Sequence, residues 1–146
     1  MEQVTQEFPS DVRQLAAVRA LVRDVCRRVW GATSADEEIA QLELAVDEAA
    51  ANVMLHAYAG KPNLPLEVVV VAEAGQVCVS LFHQGEPFDP TRVAPPSFDG
   101  SRESGFGLYL IRQAVDELGF FQDERGWHGM RLVKKRHSSA TEQDNP

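Results

Sequence analysis

Leu66-Glu67-Val68-Val69-Val70-Val71-Ala72-Glu73-Ala74-Gly75-Gln76-Val77-Cys78-Val79-Ser80-Leu81-Phe82 decides the fold. Two valine-rich runs flank a Gly75-Gln76 turn, so strands over Leu66–Ala72 and Val77–Phe82 form a hairpin. Moving toward the N-terminus, Tyr58 to Pro65 carries Gly60, Pro62 and Pro65 and reads as a connection. Before it, a helix runs from a start signal at Thr33-Ser34-Ala35-Asp36 to about Ala57. An earlier helix begins after Pro9-Ser10-Asp11, where Ser10 or Asp11 can cap its free amides. Leu15, Val18, Leu21, Val22, Val25 and Val29 then recur at helical spacing up to Trp30-Gly31, and Gln3–Phe8 reads as a short edge strand.

Toward the C-terminus, His83 to Ser104 holds Pro87, Pro90, Pro95 and Pro96 and few core candidates, as expected of a functional loop. Gly105 to Leu118 reads as a helix with Leu108, Ile111, Val115 and Leu118 on one face. Phe120-Phe121 and Met130–Val133 read as a final hairpin around Arg125-Gly126. The order β-α-α-β-β-loop-α-β-β predicts an α+β fold, a two-layer sandwich of a mixed, mostly antiparallel sheet with helices on one face. One domain over 1–136 and a disordered polar tail over 137–146 are expected.

Composition narrows the function classes. The 146 residues suit one core, and 44% hydrophobic content is that of a globular domain. Net charge is −8, which repels a phosphate backbone and argues against direct nucleic-acid binding. No apolar run approaches a membrane span, so a cytoplasmic protein is expected. Cys26 and Cys78 lie in apolar runs and read as buried thiols.

Three elements carry candidate chemistry. On the second helix, Glu48, Asn52 and His56 recur every four residues and form a polar stripe. Leu42, Ala45, Val46, Ala49 and Val53 border it on one side, Leu44 and Leu55 on the other. Next, His83-Gln84-Gly85-Glu86-Pro87-Phe88-Asp89-Pro90 follows a strand, and Gly85 permits a close backbone approach. Finally, Ser104-Gly105-Phe106-Gly107-Leu108 opens a helix whose free amides suit an anion. Neither a Gly-x-x-x-x-Gly-Lys-Ser/Thr loop nor a strand-anchored Gly-x-Gly-x-x-Gly turn is present.

In this order the three elements resemble the N, G1 and G2 boxes of the superfamily of gyrase-type, histidine-kinase and mismatch-repair ATPases. The Pro-Phe-Asp-Pro turn looks most like the bacterial anti-sigma factor serine/threonine-protein kinases. The resemblance implies the histidine-kinase-like ATPase (Bergerat) fold, with ATP and Mg²⁺ as cofactors. It makes Glu48 the general base toward a substrate hydroxyl and Asn52 the Mg²⁺ ligand. His56, His83, Gly85, Gly105, Phe106, Gly107 and Leu108 line the nucleotide, under a lid over Thr91–Ser104 that contains Arg102. It implies an anti-sigma factor antagonist as substrate, a sigma factor as sequestered partner, and a homodimer.

Two positions depart from the family pattern. The G1 aspartate that accepts a bond from the adenine amino group is His83, and the later Gly-Thr pair is Gly129-Met130. Loss of such contacts predicts weaker ATP binding, on the order of tenfold to a hundredfold. The alternative reading is accordingly a degenerate, weakly nucleotide-binding partner-switching module without kinase activity.

Overall fold

The valine hairpin forms the middle of a five-stranded sheet in the computed structural model, which describes residues 1–31, 35–87 and 106–136. Chain order is β1 (Glu2–Pro9), α1 (Leu15–Trp30), α2 (Asp36–Asn52), β2 (Pro65–Ala72), β3 (Gln76–His83), α3 (Phe106–Ala114), β4 (Glu117–Gln122) and β5 (His128–Lys135). A 3₁₀ turn at Val12–Gln14 leads into α1, and a π-helical turn at Val53–Ala57 extends α2. The sheet order is β1-β2-β3-β5-β4. All four pairings are antiparallel, so the expected mixed sheet contains no parallel pair among the described residues.

Alternation places the core. Leu66, Val68, Val70 and Ala72 of β2 and Val77, Val79 and Leu81 of β3 are buried, while their neighbours are half-exposed. The helices cover that inner face: α1 packs on β2, and α2 on β3 and β5. Val18, Val22 and Val25 of α1 and Ile39, Leu42, Ala45, Val46 and Ala49 of α2 fill the interface. Two ion pairs tie α1 to α2 at its rim, Arg19–Asp47 and Arg23–Glu43, the latter at 2.7 Å. The outer face is open. There Phe82 meets Phe121 edge-on, and Arg125 lies 4.1 Å over Trp127 while pairing with Glu67 of β2.

Of the two candidate caps before α1, Asp11 accepts from the Arg13 amide at 2.9 Å. Ser10 is buried, and its hydroxyl has no partner among the described residues. Gly31 ends α1 with φ of 81°. The helix expected over Gly105–Leu118 is shorter than the apolar spacing suggests. It ends at Ala114, whose carbonyl accepts from the buried Lys134 Nζ at 3.0 Å. The Asp116 amide already donates to Val133 at 2.8 Å, and Leu118 belongs to β4. Pairing with β5 thus overrides the helical period of Val115 and Leu118. The expected helix to about Ala57 is likewise modified: its last turn is π, a widening that leaves the i→i−4 ladder.

Candidate nucleotide and phosphotransfer site

Helix α2 presents its apolar face to the core completely: Leu42, Ala45, Val46, Ala49 and Val53 are buried. The polar stripe beside it is half-buried at Glu48 and Asn52 and exposed at His56, which sits on the π turn. On the far flank, Leu44 is 43% and Leu55 53% exposed. The stripe therefore borders packed core on one side and an open apolar ridge on the other.

Four polar side chains in the second half of α2 divide into two sets. Asp47 and Glu43 are paired with Arg19 and Arg23. Glu48 and Asn52 have no side-chain hydrogen bond or ion pair among the described residues. A half-buried carboxylate without a partner is disfavoured as an anion. Burial, reinforced by the neighbouring Asp47, raises the Glu48 carboxyl above its ordinary 4.5. Such a group, with no bond to maintain among the described residues, suits a proton-accepting role. The Asn52 amide oxygen is a hard donor of the kind Mg²⁺ takes alongside phosphate oxygens and water, so the residue present fits that ion.

The turn after β3 is fastened to the end of α2. Tyr58, buried just past the π turn, donates its hydroxyl to the Pro65 carbonyl at 2.6 Å. The same oxygen accepts from the Gln84 amide at 2.8 Å. Next door, the Glu86 amide donates to the Ala57 carbonyl at 3.3 Å. Gly85 makes this approach possible: its φ is 78°, and a Cβ there would lie 2.7 Å from the Ala57 oxygen. Removing only the Tyr58 hydroxyl leaves the Gln84 N–H and the Pro65 carbonyl short of a partner. Tyr58→Phe is therefore expected to lower stability by about 1–3 kcal/mol, measured by chemical denaturation.

His83 ends β3 on the inner face at 2% exposure. Its ring lies edge-on to Tyr58, with centroids 6.0 Å apart, and 5.5 Å from His128, its cross-strand partner on β5. Met130, opposite Leu81, is 1% exposed on the same face. The two positions that depart from the family pattern are thus both inward-facing, two register positions apart on neighbouring strands.

Helix α3 begins at Phe106 and packs along α2, with Ile111 buried and Leu108 nearly so. Gly107 and Leu108 lie in its first turn, where amides are free of intrahelical acceptors. The structure thus brings Glu48 and Asn52 onto one helix, Gly85 and His83 against its C-terminal end, and the start of α3 onto a helix packed beside it. Gly105, the Phe88-Asp89-Pro90 part of the turn, the lid over Thr91–Ser104 with Arg102, and the tail over 137–146 lie outside the described residues. Tyr58 is the site residue whose role sequence reasoning missed; the signal was a single tyrosine between a helix end and a Gly-Pro connection. Among the described residues no helix is long and apolar enough to cross a membrane.

Similarity to known proteins agrees with this geometry. A family model described as histidine kinase-like ATPase domain matches residues 8–132. The serine-protein kinase RsbW of Staphylococcus aureus (strain MRSA252) is 26% identical over 129 residues, covering 82% of this chain and 79% of that protein. The serine-protein kinase RsbW of Bacillus anthracis is 23% identical over 154 residues, covering 99% and 90%. A crystal structure of the RsbU and RsbW domains of a Mycobacterium tuberculosis protein superposes with a TM-score of 0.64 at 17% identity. That likeness spans 92% of this chain and 32% of the other, and it concerns the fold. The five-stranded antiparallel sheet backed by three helices and the extent of the family match lead to one conclusion: the chain belongs to the histidine kinase-like ATPase domain family, and it is similar to the serine-protein kinases RsbW.

Proposed function

We propose that the protein binds Mg²⁺-ATP and transfers the γ-phosphoryl group to a serine or threonine of an anti-sigma factor antagonist, and that it sequesters a sigma factor. The observation that carries this reading is that Glu48 and Asn52, one turn apart on α2, have no side-chain partner among the described residues, while Glu43 and Asp47 beside them are bonded to arginines. Bound nucleotide supplies the phosphoryl group, with its charge offset by the metal. Glu48 accepts the proton of the attacking hydroxyl, and Asn52 holds the metal through its amide oxygen. The amides of the first turn of α3, Phe106 to Leu108, receive the phosphates. His56, His83 and Gly85 complete the nucleotide surface. Exposed Leu44 and Leu55 flank the stripe and offer an apolar face to a protein substrate. The net charge of −8 suits a basic sigma-factor surface. A cytoplasmic homodimer is part of the same reading.

The test is phosphotransfer from labelled ATP to candidate antagonists, with the modified residue located by mass spectrometry. Transfer to serine or threonine supports the reading, and absence of transfer alongside measurable ATP binding overturns the kinase part of it. A pH dependence follows from Glu48. The base acts as the anion, and its raised pKa means protonation on descending pH begins earlier than for an ordinary glutamate. The acid limb of kcat is expected above pH 4.5, where an unperturbed Glu carboxyl titrates, with the limb absent in a Glu48 variant.

A second reading, a partner-switching module that binds nucleotide poorly and lacks kinase activity, is favoured by buried His83 and Met130 at the two adenine-selecting positions. Titration calorimetry with Mg²⁺-ATP separates the two.

A further inference from the structure

Between the approach to α1 and the end of α2 lies a cavity of about 310 Å³, with Ser10 and Val12 on one side and Met54, Leu55 and Pro62 on the other. Its lining is graded: Ser10 and Met54 are buried, whereas Val12 and Leu55 are exposed, so apolar walls reach solvent and the serine does not. The Ser10 backbone is fixed, its amide donating to the Leu64 carbonyl at 2.7 Å. Its hydroxyl is nevertheless buried without a partner among the described residues. Capping does not explain it, because Asp11 caps the turn that follows. A buried hydroxyl left unpaired destabilises the fold and calls for an explanation. With no bond to break, it is free to turn about its single torsion toward an incoming polar group. The Asp11–Arg13 pair also borders the cavity, but its charges close on each other through contacts of 2.7 to 3.2 Å.

We propose that this cavity takes a tyrosine side chain of the protein substrate, its ring against Val12, Met54, Leu55 and Pro62 and its hydroxyl bonded to Ser10 Oγ. This rests on the kinase reading above. The lining selects the side chain. An aliphatic group or a phenylalanine would leave the serine unpaired, and a lysine would bury a charge beside a carboxylate already engaged. Serine and threonine lack the apolar body. Tyrosine brings a rigid ring and a terminal O–H that both donates and accepts. The occupant belongs to the substrate because Leu55 is shared between this cavity and the exposed ridge beside the Glu48 stripe. Leu55 follows Glu48 by two turns, about 10 Å along the helix axis. A protein presenting its hydroxyl to Glu48 therefore passes the mouth of the cavity. Ser10 is a specificity-determining residue in this scheme and meets no reacting atom.

The experiment uses the full chain and two kinds of probe. In ¹⁵N-resolved amide spectra, N-acetyltyrosinamide is expected to shift Ser10–Arg13 and Met54–Gly60 with millimolar affinity, and N-acetylphenylalaninamide to bind about tenfold more weakly. Ser10→Ala removes a hydroxyl that holds nothing among the described residues, so it is expected to fold as wild type and to bind the two probes alike. Val12→Glu, at the exposed mouth, is expected to bind neither. No response at these amides, or equal affinity of both probes for wild type, overturns the proposal. Phosphotransfer then tests the partner. For an antagonist that the wild type phosphorylates, Ser10→Ala and Val12→Glu are expected to raise KM about tenfold while kcat and ATP affinity stay unchanged. Replacing the docked tyrosine of that antagonist by phenylalanine is expected to raise KM equally in wild type and to add nothing in Ser10→Ala. Unchanged KM in both variants overturns the docking role even where the tyrosine probe binds. Absence of transfer by the wild type to any antagonist overturns the kinase reading, and this inference with it.

Discussion

Glu48→Gln is expected to slow phosphoryl transfer by on the order of 100- to 10,000-fold while nucleotide affinity and thermal stability stay near wild type. The substitution keeps the shape of the side chain and removes only its ability to take a proton at neutral pH. Ordinarily such a change also disturbs whatever the carboxylate was holding. Here it holds nothing among the described residues: Arg19 and Arg23 of α1 are engaged with Asp47 and Glu43. The half-buried anion is disfavoured where it stands, so the neutral amide relieves a desolvation cost. The check is single-turnover transfer to an antagonist, alongside ATP calorimetry and a thermal melt. A variant that transfers phosphate at the wild-type rate removes Glu48 from the mechanism.

Gly85→Ala is expected to lower stability by about 2–4 kcal/mol and to abolish measurable ATP binding. Two penalties combine at this position. The residue adopts φ of 78°, which an alanine takes up only with strain. Its new methyl would meet the Ala57 carbonyl oxygen at 2.7 Å and the Tyr58 ring at 3.1 Å. The backbone oxygen cannot yield without opening the end of α2, so the turn must swing away. That movement breaks the Glu86–Ala57 and Gln84–Tyr58 hydrogen bonds together. Urea denaturation measures the first effect and calorimetry the second. A fully stable, ATP-binding Gly85→Ala protein would show that this contact is dispensable.

Much of the architecture is legible in the residues because it is encoded locally. Alternation in Leu66–Ala72 and Val77–Phe82 is a strand signal read within each segment, and both strands form as expected. The apolar periodicity of α1 and α2 is equally local. What escapes is decided by distant partners. Val115 and Leu118 continue the helical spacing of Leu108 and Ile111, yet the chain leaves the helix at Ala114. Lys134, twenty residues on, caps it there, and Val133 claims the next free amide. The π turn at Val53–Ala57 has no signature in residue type, and its Ala57 carbonyl accepts from the distant Glu86 amide. For the candidate site, the spacing of Glu48 and Asn52 is visible along a helix. That Asp47 is paired, and Glu48 is not among the described residues, requires Arg19 on another helix. The tautomer of His83 is likewise set by a carbonyl whose direction only the folded turn defines.

The docking of the 83–87 turn onto the last turn of α2 has a mechanical consequence. One helix with its π turn carries Glu48, Asn52 and the apolar ridge of Leu44 and Leu55, and its tip is fastened to the strand end that bears His83. Twisting that helix moves all of these as a unit. The end of α2 and the end of β3 are therefore held in register by the hydrogen bonds at Tyr58 and Ala57 that they share.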